Sequence, residues 1–150
     1  MAPLFVQILS TLLARWFAPW RDAVRIGLAI MFFFTAGSHF SSLKYDLAAM
    51  IPPPLTGALW MVYLTGVLEA TGALGLLIPS LRRPAAWGLA ALLVALFPAN
   101  VYAALAGVTL GGNAATPLWF RTPLQVLWLA MLWYTTLADR SRRAFARKPA

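Results

Sequence analysis

A carboxylic acid within a long apolar stretch is the residue of this chain with the clearest chemical potential. Glu69 lies within residues 55–79, where Tyr63 is the only other ionisable side chain. About 20 apolar residues are enough for a helix to cross a bilayer. A charged group at the centre of such a helix costs about 2.5–3.5 kcal/mol on insertion scales, so it normally faces a partner or a cavity. The sequence therefore predicts a membrane protein with a polar interior site.

Polar residues on the other apolar stretches fall at similar predicted depths. Inward-facing polar groups of a helical bundle converge, which predicts a ligand-binding site. Its candidate residues are His39, Tyr63, Glu69, Asn100, Arg121 and Gln125. Because desolvation disfavours the charged form of a carboxyl group, a buried Glu69 suits proton exchange with His39. Arg121 and Asn100 would then hold an oxygen atom of the ligand. No residue is predicted to be catalytic.

Each candidate also has a purely structural interpretation. Glu69 can pair with Arg121 or His39 and so hold two helices together. Asn100 can form an interhelical hydrogen bond, and Arg121 can anchor a helix end at the membrane surface. His39 can simply end a helix. Residues 122–125 (TPLQ) fit a capping box if a helix begins there, which would explain the glutamine.

Composition excludes several classes of protein. The chain is 61% hydrophobic with a mean hydropathy of +0.75, unlike an ordinary soluble domain. It has no cysteine, so it contains no disulfide, thiol nucleophile or cysteine-bound metal. Its one histidine cannot supply both axial ligands of a haem, and His39 with Glu69 alone would leave a metal short of ligands. We therefore predict no metal site.

Four apolar stretches predict four membrane-spanning helices. They cover approximately residues 22–40, 55–79, 84–110 and 117–138. The predicted fold class is all-α, a polytopic four-helix transmembrane bundle in a single domain, 1–150. Residues 1–20 are too short in their apolar part to span, and they predict an interfacial helix with Trp16 and Trp20 at headgroup depth. A cleaved signal segment is the alternative.

Proline and turn residues set the predicted boundaries. Residues 52–54 (PPP) stop any helix before the second span. Pro98 and Asn100 are predicted to break the third span and to open it toward a cavity. Thr116 is predicted to cap the fourth helix, with Pro117 at its first position.

The net charge of +8 results mostly from basic residues that flank the apolar stretches. With four spans, both termini and the 81–83 turn share one side, and ten basic residues fall there, namely Arg15, Arg21, Arg25, Arg82, Arg83, Arg140, Arg142, Arg143, Arg147 and Lys148. Only Lys44 and Arg121 fall on the other side. This asymmetry predicts cytoplasmic termini and a basic cytoplasmic tail at 139–150, and it argues against a nucleic-acid partner.

Several short motifs resemble the DoxX-like family of small four-helix bacterial membrane proteins. They are residues 36–40 (AGSHF), 66–69 (GVLE), 72–79 (GALGLLIP), 82–83 (RR) with 85–88 (AAWG), 97–100 (FPAN) and 121–125 (RTPLQ). The resemblance covers roughly residues 21–138. It implies a multi-pass protein of the bacterial inner membrane, linked to membrane oxidoreductases such as a thiosulfate:quinone oxidoreductase. The absence of cysteine argues against sulfur chemistry by this chain itself.

Three functions from different classes fit these observations. The first is a site for a small amphiphile or a quinone-like molecule, in a protein that can be a subunit of a membrane oxidoreductase; quinone is the only cofactor that the sequence suggests. The second is a structural or assembly subunit without a site of its own. The third is a small proton-coupled exporter, which the strong charge bias disfavours because dual-topology dimers need weak bias. The predicted partners are the lipid bilayer and either an oxidoreductase or a second copy of the chain.

Overall fold

Helices make up most of the part of the chain that this computed structural model describes, which is residues 2–114 and 116–138. The six α-helices are α1 (Ala2–Ala14), α2 (Trp20–Ser38), α3 (Lys44–Ala49), α4 (Leu59–Leu77), α5 (Arg82–Leu105) and α6 (Leu118–Leu132). A π-helical turn, Trp133–Leu137, continues α6. Strands β1 (Thr109–Leu110) and β2 (Asn113–Ala114) form a short antiparallel hairpin. The all-α prediction is confirmed; the predicted 139–150 tail lies outside the described residues.

Helices α2, α4, α5 and α6 occupy the four predicted apolar stretches. By length and apolar character, Leu59–Leu77 and Arg82–Leu105 qualify as candidate membrane spans. The acidic and basic side chains in its first two turns lower the apolar character of α2, and α6 has only 15 residues before the π-helical turn. Core helices of soluble proteins also pass this test, so the four-span arrangement remains a prediction.

The helices pack around a small apolar core. Helix α2 contacts α4, α4 contacts α5, α5 contacts α6, and α6 returns to α2, while α1 packs along α2. The largest apolar side chains that are fully buried come from all four helices of this ring: Leu28, Met31, Phe32, Leu76, Leu89 and Leu132. Alanines at the helix crossings, such as Ala73 and Ala86, let the backbones come close.

Helix α1 buries its polar face against α2. The Gln7 side chain is 1% exposed, and its Nε2 donates to Thr11 Oγ1 at 3.0 Å and to the Val24 carbonyl at 3.4 Å. Ser10 Oγ donates to the Val6 carbonyl at 2.6 Å. Gly27 makes the close approach possible, because a Cβ there would lie 2.8 Å from Gln7 Nε2 and 3.2 Å from the Gln7 carbonyl oxygen.

The opposite face of α1 and the turn after it are apolar and exposed. Phe5, Leu12 and Leu13 are more than half exposed, and Trp16 and Phe17 are 85% and 94% exposed. A surface helix of a soluble protein has the reverse pattern, with its apolar face toward the core. In α1 the polar side chains therefore point inward and the apolar ones outward.

Two boundary predictions are wrong. Helix α5 continues through Pro98 and Asn100 without a break, because a proline removes only one backbone donor and the rest of the helix keeps its hydrogen bonds. Thr116 does not cap α6, which begins at Leu118 after Pro117 without a side-chain cap. The Pro117 carbonyl accepts from the backbone N–H groups of Phe120 and Arg121 at 3.1 and 3.0 Å.

The connections on the His39 side of the ring contain structure that the sequence did not predict. Helix α3 lies between α2 and α4, and the β1–β2 hairpin lies between α5 and α6. Asp46 Oδ2 on α3 accepts a hydrogen bond from the Gly111 backbone N–H at 2.8 Å, which ties the two connections together. At Gly111, φ is +60°, a conformation that glycine adopts readily.

Replacing Gly27 with alanine should destabilise the protein by about 1–3 kcal/mol, because the new methyl group must displace Gln7 and Thr11 from the α1–α2 contact. Gly37 on the same helix is the matched control, since a Cβ there meets nothing within 4 Å. Gly37→Ala should be neutral or slightly stabilising, as alanine favours helix over glycine. Thermal unfolding in a mild detergent measures both variants. Equal effects of the two substitutions would contradict the proposed role of Gly27.

Candidate functional site

A cavity of about 550 Å³ lies within the ring of helices. Its volume is within the range of about 300–1,000 Å³ that is typical of small-molecule sites. Most of its wall is apolar, and α2, α4, α5 and α6 all contribute to it, together with Pro3 and Leu4 of α1. Its polar wall residues are Thr35, His39, Thr65, Glu69, Asn100, Thr116, Arg121, Gln125 and Trp128. Five of the six predicted site residues are among them.

His39 and Glu69 form a buried pair between α2 and α4. His39 Nε2 lies 3.5 Å from Glu69 Oε2, and the two residues are 8% and 6% exposed. The other ring nitrogen, Nδ1, lies 2.8 Å from the Val62 carbonyl oxygen. The 3.5 Å between Nε2 and Oε2 is too long for a strong hydrogen bond, and Glu69 Oε2 has no hydrogen-bond partner among the described residues. The carboxyl oxygen is therefore available to a ligand.

The contacts of His39 determine where its protons lie. A carbonyl oxygen only accepts, so His39 Nδ1 carries a proton that it donates to Val62. If Nε2 and Glu69 Oε2 were both unprotonated, two lone pairs would face each other in a buried place. A proton on either Nε2 or Oε2 removes that repulsion. The pair is then neutral as a whole, whether it is written as imidazole with carboxylic acid or as imidazolium with carboxylate.

Gly66 and Thr65 of α4 position His39 in this pair. His39 follows the end of α2, where its backbone N–H donates to the Ala36 carbonyl at 3.1 Å. A Cβ at Gly66 would lie 2.6 Å from His39 Cβ, so only glycine lets the histidine approach α4 this closely. Thr65 Oγ1, on α4, lies 3.2 Å from His39 Nδ1.

Asn100 and Arg121 form a second polar pair, between α5 and α6. Arg121 Nη1 donates to Asn100 Oδ1 at 2.8 Å. Within residues 2–114 and 116–138, no carboxylate lies within 4.0 Å of the guanidinium group. Glu69 and Arg121 therefore do not form the ion pair that the sequence suggested. An amide does not neutralise a charge. The cavity wall thus contains a guanidinium group whose positive charge no described residue neutralises.

Gln125 and Trp128 complete the polar face of α6. Gln125 is 8% exposed, and its Nε2 donates to the Leu93 carbonyl of α5 at 3.0 Å. It lies well inside the helix, so the alternative of a capping box is wrong. The indole Nε1 of Trp128 is buried and has no hydrogen-bond partner. A buried N–H group without a partner is unusual in native proteins, and here it belongs to a residue of the cavity wall.

Tyr63 does not line the cavity, although it shares a helix with Glu69. Its ring stacks on Phe40 with 5.9 Å between the centroids. Lys44 Nζ lies 5.6 Å from the centre of the same ring, and the hydrogen bond to Tyr63 raises the pKa of Lys44. Tyr63 therefore belongs to the surface beside the cavity.

Thr35, Thr65 and Trp128 also line the cavity and were not predicted from the sequence. Helical spacing could have found two of them, because Thr35 is four residues before His39 and Trp128 is three residues after Gln125. Trp128 in particular is indistinguishable by residue type from the exposed tryptophans Trp119 and Trp133.

Comparison with known proteins gives one family. A family model described as a domain of unknown function, DUF8561, matches residues 28–136. This range contains every predicted site residue. No curated protein and no solved structure matches the chain. The DUF8561 match does not link the chain to the DoxX-like family, so that resemblance remains a prediction.

The single histidine makes the proton assignment directly measurable. In protein labelled with ¹⁵N-histidine, we expect one Nδ1 signal typical of a protonated nitrogen, because the Val62 carbonyl requires that proton. The Glu69→Gln substitution should shift the Nε2 signal and leave Nδ1 protonated. Asn100→Ala, in the other polar pair, should change neither signal. An unprotonated Nδ1 at neutral pH, or an Nε2 signal unaffected by Glu69→Gln, would show that the proton assignment is wrong.

Proposed function

The chain belongs to the DUF8561 family, and from its site we propose that it binds a small amphiphile or quinone-like molecule within a membrane. The observation that supports this most directly is the cavity of about 550 Å³, whose largely apolar wall contains both polar pairs. Four helices contribute to these pairs. A site that served only helix packing would not need a cavity of this size.

The distribution of side chains supports a place within a bilayer. Large apolar side chains cover the outside of the helices, and only 11% of the apolar part of α5 is buried. Buried polar residues include Gln7, Thr11 and Glu69. A soluble protein of this size would expose far fewer large apolar side chains together, since contiguous patches above a few hundred Å² mark contact with a partner or a membrane. Lipid is the partner that fits apolar surface on so many helices.

The proposed topology places both termini in the cytoplasm of a bacterial cell and the cavity in the outer half of the bundle. Arg15, Arg21 and Arg25 lie near the start of α2, and Arg82 and Arg83 begin α5. All five therefore share one end of the four-helix arrangement. Basic residues concentrate on the cytoplasmic side of inner-membrane proteins. The cavity lies toward the other end, where α3 and the β-hairpin connect the helices.

The two polar pairs have different roles in the proposed site. His39 and Glu69 can exchange a proton with an oxygen atom of the ligand, and the charge of the pair falls by one when the ligand takes the proton up. Arg121, held by Asn100, donates hydrogen bonds to a second oxygen atom. Trp128 offers another donor from the same face of α6. The apolar wall accommodates the rest of the molecule.

The resemblance to DoxX-like proteins favours a role beside a membrane oxidoreductase, with a quinone as one candidate ligand. A structural or assembly subunit is the alternative, in which the polar pairs only set helix register. The fully buried Leu28, Phe32 and Leu76 fill the bundle beside the cavity. The strong charge bias disfavours the exporter, because dual-topology dimers need weak bias.

The topology can be tested with single cysteines, because the natural chain has none. Ser42 and Ser80 are both exposed serines in connections, which makes them matched positions. We expect Ser42→Cys to react with a membrane-impermeant maleimide in intact cells and Ser80→Cys to react only after the membrane is permeabilised. The reverse pattern would overturn the orientation, and labelling of both in intact cells would overturn the four-span arrangement.

Ligand binding can be tested by native mass spectrometry of the protein released from mild detergent. We expect a discrete small-molecule adduct on the natural protein. The adduct should be lost in Glu69→Gln, because Glu69 Oε2 is a buried carboxyl oxygen of the cavity wall without a hydrogen-bond partner. Tyr63→Phe is the matched control on the same helix, and it should keep the adduct because Tyr63 lies outside the cavity. A bare chain, or one carrying only bulk lipid or a partner protein, would favour the assembly subunit.

A further inference from the structure

The charges on the cavity wall distinguish between the ligand classes of the proposed function, on which this inference rests. Within residues 2–114 and 116–138, three ionisable side chains contribute to the wall, namely His39, Glu69 and Arg121. Buried charges are tolerated only when they are paired or neutralised, so the sum over these three groups determines which ligand charge the site favours.

The His39–Glu69 pair contributes no net charge. His39 Nδ1 donates to the Val62 carbonyl, and His39 Nε2 lies 3.5 Å from Glu69 Oε2, so that one proton on either of these two atoms leaves the pair neutral. Any ligand that meets this pair therefore meets a neutral hydrogen-bonding group that can donate or accept.

Arg121 contributes one positive charge that no described group cancels. Its Nη1 donates to the neutral Asn100 amide at 2.8 Å, and the ion pairs of residues 2–114 and 116–138 are elsewhere, at Asp22–Arg25 and His39–Glu69. A guanidinium group presents five donors, and an amide oxygen occupies only one or two of them. The remaining donors match the paired oxygens of a carboxylate or phosphate.

We propose that the ligand is a monoanionic amphiphile, with its anionic oxygens on Arg121 and one acyl chain along the apolar wall. A neutral quinone would leave the guanidinium charge unmatched, whereas a single negative charge makes the whole site neutral. Two sources have this chemistry: a free long-chain carboxylate, and an anionic phospholipid that places one chain in the cavity. In either case the His39–Glu69 pair contacts the ligand as a neutral donor and acceptor.

A mass-resolved competition tests the charge preference. Hexadecanoate and hexadecan-1-ol have the same chain length and differ in head charge, and a short-tailed benzoquinone is the neutral ring compound. In native mass spectrometry from a non-ionic detergent, the natural protein should prefer hexadecanoate to hexadecan-1-ol by about tenfold or more, the effect expected of a charge-assisted hydrogen bond. Phosphatidylglycerol compared with phosphatidylcholine tests the second source in the same way.

Two substitutions assign the preference to Arg121. Arg121→Gln should abolish it. Asn100→Asp should also abolish it while keeping the guanidinium group, because the new carboxylate would neutralise Arg121 across the existing 2.8 Å contact. Arg83→Gln is the matched control, since Arg83 is exposed and outside the cavity, and it should leave the preference unchanged. If Arg121→Gln does not fold, the result from Asn100→Asp decides.

The outcomes separate this inference from the proposed function. Equal or tighter binding of hexadecan-1-ol or the benzoquinone, lost in Glu69→Gln, would overturn the anionic ligand and support the site. An anion preference that persists in both Arg121→Gln and Asn100→Asp would also overturn it. Failure of every compound to bind would overturn both proposals. An Arg121-dependent preference for hexadecanoate or for phosphatidylglycerol would support the anionic ligand and name its source.

Discussion

The packing of the helices depends on hydrogen-bond and ion-pair partners for a few polar side chains, because the interior is otherwise apolar. Unpaired polar groups are costly in an apolar interior, and more so if lipid surrounds the bundle. The solutions are local. Gln7 bonds to Thr11 and to a backbone carbonyl of α2, Gln125 bonds to a carbonyl of α5, and Arg25 pairs with Asp22 one turn away. The bonds from Gln7 to α2 and from Gln125 to α5 also fix how two helices lie against one another.

The bundle has a densely packed half and an open half that contains the cavity. Beside the cavity, the apolar core is filled by Leu28, Phe32, Leu76 and their neighbours, which are fully buried. Toward the α3 connection, the helices separate enough to leave a volume of about 550 Å³. Gly66 allows α2 and α4 to stay close at His39 even there. The dense half can thus hold the helices in register while the open half keeps space for a ligand.

The sequence predicted the helices and most of the site, for identifiable reasons. The prolines at 52–54 and at 117 precede α4 and α6 as expected, and Glu69 stood out because no other acid lies in its stretch. Pro98 was misjudged because a helix tolerates one missing donor. Tyr63 was predicted as a site residue from its depth in the stretch that contains Glu69, but depth alone does not show whether a side chain faces the cavity. Short α3 and the hairpin have too few residues for any periodicity to be visible.

The polar atoms that remain unsatisfied argue that the site does more than hold helices together. If the polar side chains only fixed the register of the helices, we would expect their polar atoms to be hydrogen-bonded, as Ser10 Oγ and Gln125 Nε2 are. On the cavity wall, however, Glu69 Oε2 and Trp128 Nε1 have no partner, and Arg121 has no counter-charge among the described residues. Gln7 Oε1 is also unpartnered, but it lies in the close contact between α1 and α2 and not beside an open volume. An acceptor, a donor and an unmatched charge around one cavity are the groups that a bound molecule would satisfy.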